Sequence, residues 1–92
     1  MARIFQASSM GEADVRACIV PQKEQADLLV HRVNSWGLAT GDHFWYITKE
    51  KQDATCRIFF TSQGMAQVFV CFVDTYTEAG WQKPHKLRGR LG

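Results

Sequence analysis

The sequence lacks the features that would place it in a membrane or an export route. Its longest apolar run, Val68 to Val73, is far too short to cross a bilayer as a helix. The start Met1-Ala2-Arg3-Ile4-Phe5 has no signal-peptide core, so a soluble cytoplasmic protein is expected. Charge of one sign is also scarce. Eleven lysines and arginines against nine acids leave a net charge of +2, too little to imply a polyanion partner. Cysteine is limited to Cys18, Cys56 and Cys71, an odd set with no C-x-x-C spacing, which argues against a disulfide framework and a structural zinc site. Cys18 and Cys71 lie in the runs ACIV and VCFV, where cysteine packs as a small hydrophobe. No catalytic or ligand motif rises above chance.

What is present is a hydrophobic content of 46% in 92 residues, enough for one small core, and an internal repeat. Alanine recurs at Ala13, Ala26, Ala39, Ala54, Ala66 and Ala79, at intervals of about 13 residues. Each unit is a polar turn, the alanine, then a hydrophobic run. Aligned on the alanine, VRACIV, LLVHRV, CRIFFT and VFVCFV share one register. Arg3-Ile4-Phe5 repeats Arg57-Ile58-Phe59 and supplies an N-terminal half-unit.

Within these runs the side chains alternate as in strands. One face carries Val15, Ala17, Ile19, Leu28, Val30, Cys56, Ile58, Phe60, Val68, Val70 and Phe72, and is assigned to the core. Arg32 is its sole polar exception. Two extra residues near Gly41-Asp42 preserve the parity and place His43, Trp45 and Ile47 on the same side. The opposite face is mixed, as expected where some strands are covered twice.

The connections read as single helical turns closing on alanine, whose small side chain lets another segment pass closely. Ser9-Met10-Gly11-Glu12 and Thr75-Tyr76-Thr77-Glu78 both spell a capping box, and Pro21 suits a first helical position. Pro21 to Val33 alone would also fit an amphipathic helix, with Ala26, Leu29, Val30 and Val33 on one stripe. The repeat assigns it to a strand, because its counterpart VFVCFV is rich in β-branched and aromatic residues. The expected fold is mainly β, a β-rich α+β domain over residues 1–81 built from six strand-plus-helical-turn repeats. A basic flexible tail follows over residues 82–92. Strand and link lengths exclude ordinary α/β winding, leaving an antiparallel meander or a chain coiled repeatedly around itself.

Gln25-Ala26-Asp27-Leu28-Leu29-Val30, Trp45-Tyr46, Ile58-Phe59-Phe60-Thr61 and Glu78-Ala79-Gly80-Trp81 give the chain a resemblance to a known family. Over residues 3–81 it resembles septknot, small bacterial proteins of unknown function. The resemblance implies a chain wound as a seven-crossing torus knot.

Candidate sites are few. His31, His43 and His85 have no metal-ligand spacing, and no metal or cofactor is expected. His43 beside Phe44-Trp45-Tyr46 reads as the edge of an aromatic cluster rather than as a base for a cysteine nucleophile, so the protein is not expected to be an enzyme. Asp14 and Asp27 read as acceptors for local backbone N–H groups; Thr40, Thr55 and Gln67 stand at the equivalent positions of other units. Trp45 and Trp81 read as core and lid. Trp36, in Asn34-Ser35-Trp36-Gly37, is a candidate partner contact. So are Lys83, Lys86, Arg88 and Arg90, the four cations of an acid-free tail expected to fray into solvent. The partner is a protein by this reading, the chain is expected to be monomeric, and a nucleic acid bound through the tail is the alternative.

Overall fold

Valine, isoleucine and aromatic side chains crowd a helix at χ1 but fit a pleated surface, and every run rich in them forms a strand. In the computed structural model, which describes residues 2–92, the strands are β1 (Ala2–Gln6), β2 (Val15–Ile19), β3 (Leu28–Val33), β4 (Phe44–Thr48), β5 (Cys56–Phe60), β6 (Val68–Phe72) and the short β7 (Gly80–Trp81). The helical alternative for residues 21–33 does not form. Lys23–Gln25 makes one 3-10 turn and Leu28–Val33 is extended.

The links contain single 3-10 turns at Met10–Glu12, Lys23–Gln25, Trp36–Leu38, Lys51–Asp53 and Gln63–Met65. Each is followed by a repeat alanine. The N–H groups of Ala13, Ala26, Ala39 and Ala54 donate back to the first residue of their turns at 3.1 Å. The expected capping boxes are absent: Ser9 makes no side-chain cap, and Thr75 Oγ1 instead donates to the Glu78 carboxylate at 2.9 Å. A single turn exposes so few N–H groups that the alanine bond already closes it. Pro21 lies ahead of its turn rather than at the first position.

The six long strands are all parallel and close into a barrel in the order β1, β5, β2, β6, β3, β4. β7 pairs antiparallel with Leu28 and Leu29, on the edge of β3 that β4 leaves free by pairing only with residues 31–33. Seven places therefore run round the sheet, and each strand lies two places from its predecessor.

Parallel strands usually need a dozen or more residues of crossover because the chain must return along the strand. Stagger removes that requirement here. Gln6, the last residue of β1, is level with Ile58 of β5, which is level with Val15, the first residue of β2. Ile19, Val70 and Leu28 repeat the relation from β2 to β3. The link only has to pass over one strand, about 10 Å at the normal strand spacing, and residues 7–14 or 20–27 suffice. The 3-10 turns at Met10–Glu12 and Lys23–Gln25 lie against the crossed strands β5 and β6.

A recurrent backbone clamp fixes four of the crossings; Thr40 and Gly80, at the equivalent positions of the other two links, do not make it. The residue after the repeat alanine donates its N–H to a carbonyl of the crossed strand, and its side chain accepts the N–H of that same residue. Asp14 clamps Arg57 at 2.8 and 2.9 Å, and Asp27 clamps Phe69 at 2.8 and 3.0 Å. Thr55 clamps Arg3 and Gln67 clamps Arg16, both at 2.8 and 2.9 Å. The aspartates thus bond backbone distant in sequence rather than local backbone. Threonine and glutamine do the same because the bond needs only an acceptor oxygen, not a charge.

Inward side chains stack in layers. Ile4, Ala17, Val30, Trp45, Ile58 and Val70 form the middle layer, each 0% exposed. Ala2, Val15, Leu28, Cys56 and Val68 lie towards the end where the strands begin. Trp45 fills much of the middle and donates its indole N–H to the Asp42 carbonyl at 2.7 Å. The inward parity holds, yet Ile19 and Ile47 are exposed and Arg32 and Phe72 stand with them at the strand ends. His43 stays outside the core, its ring against Phe44. A second cluster lies outside the barrel beneath a crossover: Cys18, Val20, Ala26, Leu29, Cys71 and Val73.

Residues 82–92 do not fray. Leu91 enters the core and is fully buried, Leu87 packs against it, and the His85 ring stacks on Trp81 at 5.2 Å. Acceptors on the body, chiefly Asp42, hold the backbone of this segment, a long-range arrangement that an acid-free stretch cannot announce. Lys83 is drawn into an ion pair with Asp27 at 3.2 Å.

Ala26, fully buried in the outer cluster, is expected not to tolerate a larger side chain. Ala26→Leu should lower unfolding stability by about 1–3 kcal/mol, read from the urea midpoint at unchanged slope.

Candidate functional site: the open end of the barrel

The two ends of the barrel are built differently. At the end where strands begin, Asp42 gathers the C-terminal segment. Its Oδ2 accepts the Trp81 indole N–H at 2.9 Å and the Gly89 N–H, and its Oδ1 accepts the N–H groups of Leu91 and Gly92 at 3.0 and 3.2 Å. Thr55 Oγ1 donates to the Leu91 carbonyl at 3.1 Å. Burial alone would push the Asp42 carboxyl up, but the donated hydrogen bonds outweigh it and hold its pKa below the ordinary value. Gly41, at φ +64°, makes the turn into Asp42. A Cβ there would adopt an unfavourable backbone conformation and approach the His43 ring to 3.2 Å.

The other end is open. The last inward residues are Gln6, Ile19, Arg32, Ile47, Phe60 and Phe72. Ile19 is 49% and Ile47 41% exposed, Gln6 and Arg32 are exposed, and the two phenylalanines are half-buried. The Arg32 guanidinium lies over the Phe72 ring at 5.1 Å.

A groove of about 590 Å³ leaves this rim between the ends of β3 and β4, lined by His31, Arg32, Val33, Asn34, Tyr46, Ile47 and Tyr76. A smaller depression on the other side of His31 and Arg32 is bordered by Phe72, Val73 and Asp74. The groove wall is aromatic. Tyr76 packs on the His31 ring at 4.6 Å and on Phe44 at 5.1 Å. His31 Nδ1 lies 3.0 Å from the Val73 carbonyl; a carbonyl only accepts, so Nδ1 carries a proton and orients the ring.

Trp36 is 44% exposed, as a partner contact requires. Its 3-10 turn lies against β4, its ring meets Tyr46 edge-on at 6.3 Å, and the Arg3 guanidinium covers it at 4.6 Å. Trp36 therefore adjoins the groove through Tyr46. The tail cations are elsewhere. Lys86, Arg88 and Arg90 are exposed on the segment that closes the opposite end, and none forms an ion pair among the described residues.

All three thiols are free and buried. Burial, reinforced by the charges of Asp14 and Asp42, pushes the Cys56 thiol up to about 12, which keeps it protonated and unreactive near neutrality. His43 faces Phe44. Among the described residues, no group of three histidine, cysteine or carboxylate side chains is placed to hold a metal, and no helix is long and apolar enough to cross a membrane.

The alternation placed Ile19, Arg32 and Ile47 on the inward face and assigned that face to the core, whereas the structure exposes them at the mouth. The available signal was Arg32, a cation on an otherwise apolar face, which marks where that face reaches water. His31, Tyr46 and Tyr76 gave no signal, since only folding brings Tyr76 from the link after β6 onto β3 and β4.

Residues 1–82 match the Septknot family model, described as a 7(1) septoil knot domain. No curated protein and no solved structure matches the chain.

Because its folded-state pKa is lowered, the Asp42 carboxylate contributes stability that is fully present above the unfolded value of about 3.9 and is lost as pH falls through the folded value. In urea unfolding across acidic pH, the native chain should lose stability more steeply than Asp42→Asn. At pH 7 the variant should already be about 1–3 kcal/mol less stable.

Proposed function

The chain belongs to the septoil knot domain family, and on that premise we propose that it is a non-enzymatic, monomeric interaction domain on a knotted scaffold, with the open end of the barrel as its binding face. The observation that carries the scaffold part is the strand order. A path that advances two places at a time around seven closes only after two circuits, laying each link over a strand of the other circuit. That pattern supports a threaded chain with the seven crossings named in the family description. The three free, buried thiols are compatible with a reducing compartment such as the cytoplasm.

A threaded chain cannot fully unfold without withdrawing an end, so its resistance is kinetic. A processive unfoldase and protease should digest the chain slowly under native conditions, leaving a long-lived product that contains residues 3–81. Rapid and complete digestion would count against the threaded path.

The binding part rests on the exposed apolar rim at one end of an otherwise filled interior. A second reading, an acidic partner or nucleic acid held at the closed end, rests on Lys86, Arg88 and Arg90, which form no ion pair among the described residues. Truncation after Trp81 would not separate the two, because it also removes Leu91 from the core. The comparison uses capture from a lysate of the source cells with the intact chain, with Ile19→Ser/Trp36→Ser/Ile47→Ser, and with Lys86→Gln/Arg88→Gln/Arg90→Gln. Partners should be lost with the rim variant and kept with the tail variant. Partners lost only with the tail variant, with steep salt dependence, would favour the second reading.

A further inference from the structure

The groove beside the rim has a chemical composition that specifies a ligand. Among the described residues, Arg32 is the only formally charged side chain lining it. Arg32 is exposed and forms no ion pair among the described residues; it stands between the groove and the neighbouring depression, its guanidinium over the Phe72 ring that, with Asp74, borders that depression. Around it stand the Asn34 amide and the phenol groups of Tyr46 and Tyr76, all able to donate hydrogen bonds. Val33 and Ile47 supply apolar surface, and the Tyr76 ring is held in place by His31 and Phe44. A single planar guanidinium matches a carboxylate in shape and offsets one negative charge. The volume falls within the range of small-molecule sites.

The geometry points to a site for a small monocarboxylate with a flat apolar body, its carboxylate on Arg32 and its body against Tyr46, Tyr76 and Ile47. This assignment rests on the reading of the open end as the binding face and names the ligand class there. A phosphate dianion is the poorer match, because one guanidinium leaves half its charge uncompensated in a groove that offers it no second lysine or arginine.

The test is a titration of the full chain, followed by amide NMR at pH 7, with sodium phenylacetate, its uncharged isostere phenylacetamide, and inorganic phosphate as probes. Phenylacetate should shift the amides of residues 31–34, 46–47 and 76 saturably, with a Kd in the millimolar range or tighter. Phenylacetamide should bind at least ten-fold more weakly, and phosphate should give no saturable shift at these residues. Arg32→Gln should weaken phenylacetate at least ten-fold while leaving the rest of the spectrum in place, since the side chain is exposed and outside the filled layers. Tyr76→Ser, also at an exposed position, should weaken it several-fold. Absence of localised saturable shifts, equal binding of the acid and the amide, phosphate binding as tight as phenylacetate, or an Arg32→Gln variant that binds like the native chain would each overturn the assignment. Should phenylacetate fail while the rim variant still loses captured partners, only the ligand class is wrong. Should the rim variant keep every partner, the binding-face reading itself fails.

Discussion

The stagger between neighbouring strands is the constraint on which the architecture depends. Because the last residue of β1 is level, across β5, with the first residue of β2, a link need only pass over one strand to start the next. Without that offset, parallel strands this short could not be joined by single 3-10 turns. With it, the chain skips one place at every step and fills the skipped places on its second circuit. The repeat alanine and the residue after it are the local expression of the same geometry. Ala26 and Ala39 are fully buried where their links pass, and at four links an acceptor oxygen takes a crossed-strand N–H that would otherwise be left unpaired.

Stagger also gives the barrel two unlike ends. Inward side chains from six strands meet in the middle layer, each 0% exposed. At the end where the strands begin, the C-terminal segment inserts Leu91 and is held chiefly by the Asp42 carboxylate. That carboxylate lies in the one link with two extra residues. The insertion conserves strand parity and at the same time provides the acceptor that closes the barrel. At the other end nothing is inserted, and the last inward residues meet solvent as an apolar rim broken by Arg32.

The period of the alanines and the alternation of the hydrophobic runs were legible before folding, because both report local geometry. A strand presents alternate residues to opposite faces whatever its partners, and five of the repeat alanines directly follow a 3-10 turn. Hence six strands, their inward faces, and extended structure at Leu28–Val33 against a helical pattern all follow from spacing. The parity argument also placed Ile19, Arg32 and Ile47 inward, but parity carries no information about depth along the axis, so it could not show that these residues stand at the mouth.

The partners of each group were decided by the tertiary structure alone. Asp14 bonds to Arg57 and Asp27 to Phe69 across more than forty residues of sequence, and Thr55 and Gln67 perform the same role with different chemistry. A clamp defined by an oxygen at a fixed position has no residue-type signature. The C-terminal segment read as a solvated tail because its cations dominate its composition, whereas its backbone N–H groups and one leucine decide where it lies. Composition and periodicity are properties of neighbouring residues. Which strand lies beside which, and which acceptor meets which donor, follow from how the staggered strands close into a barrel.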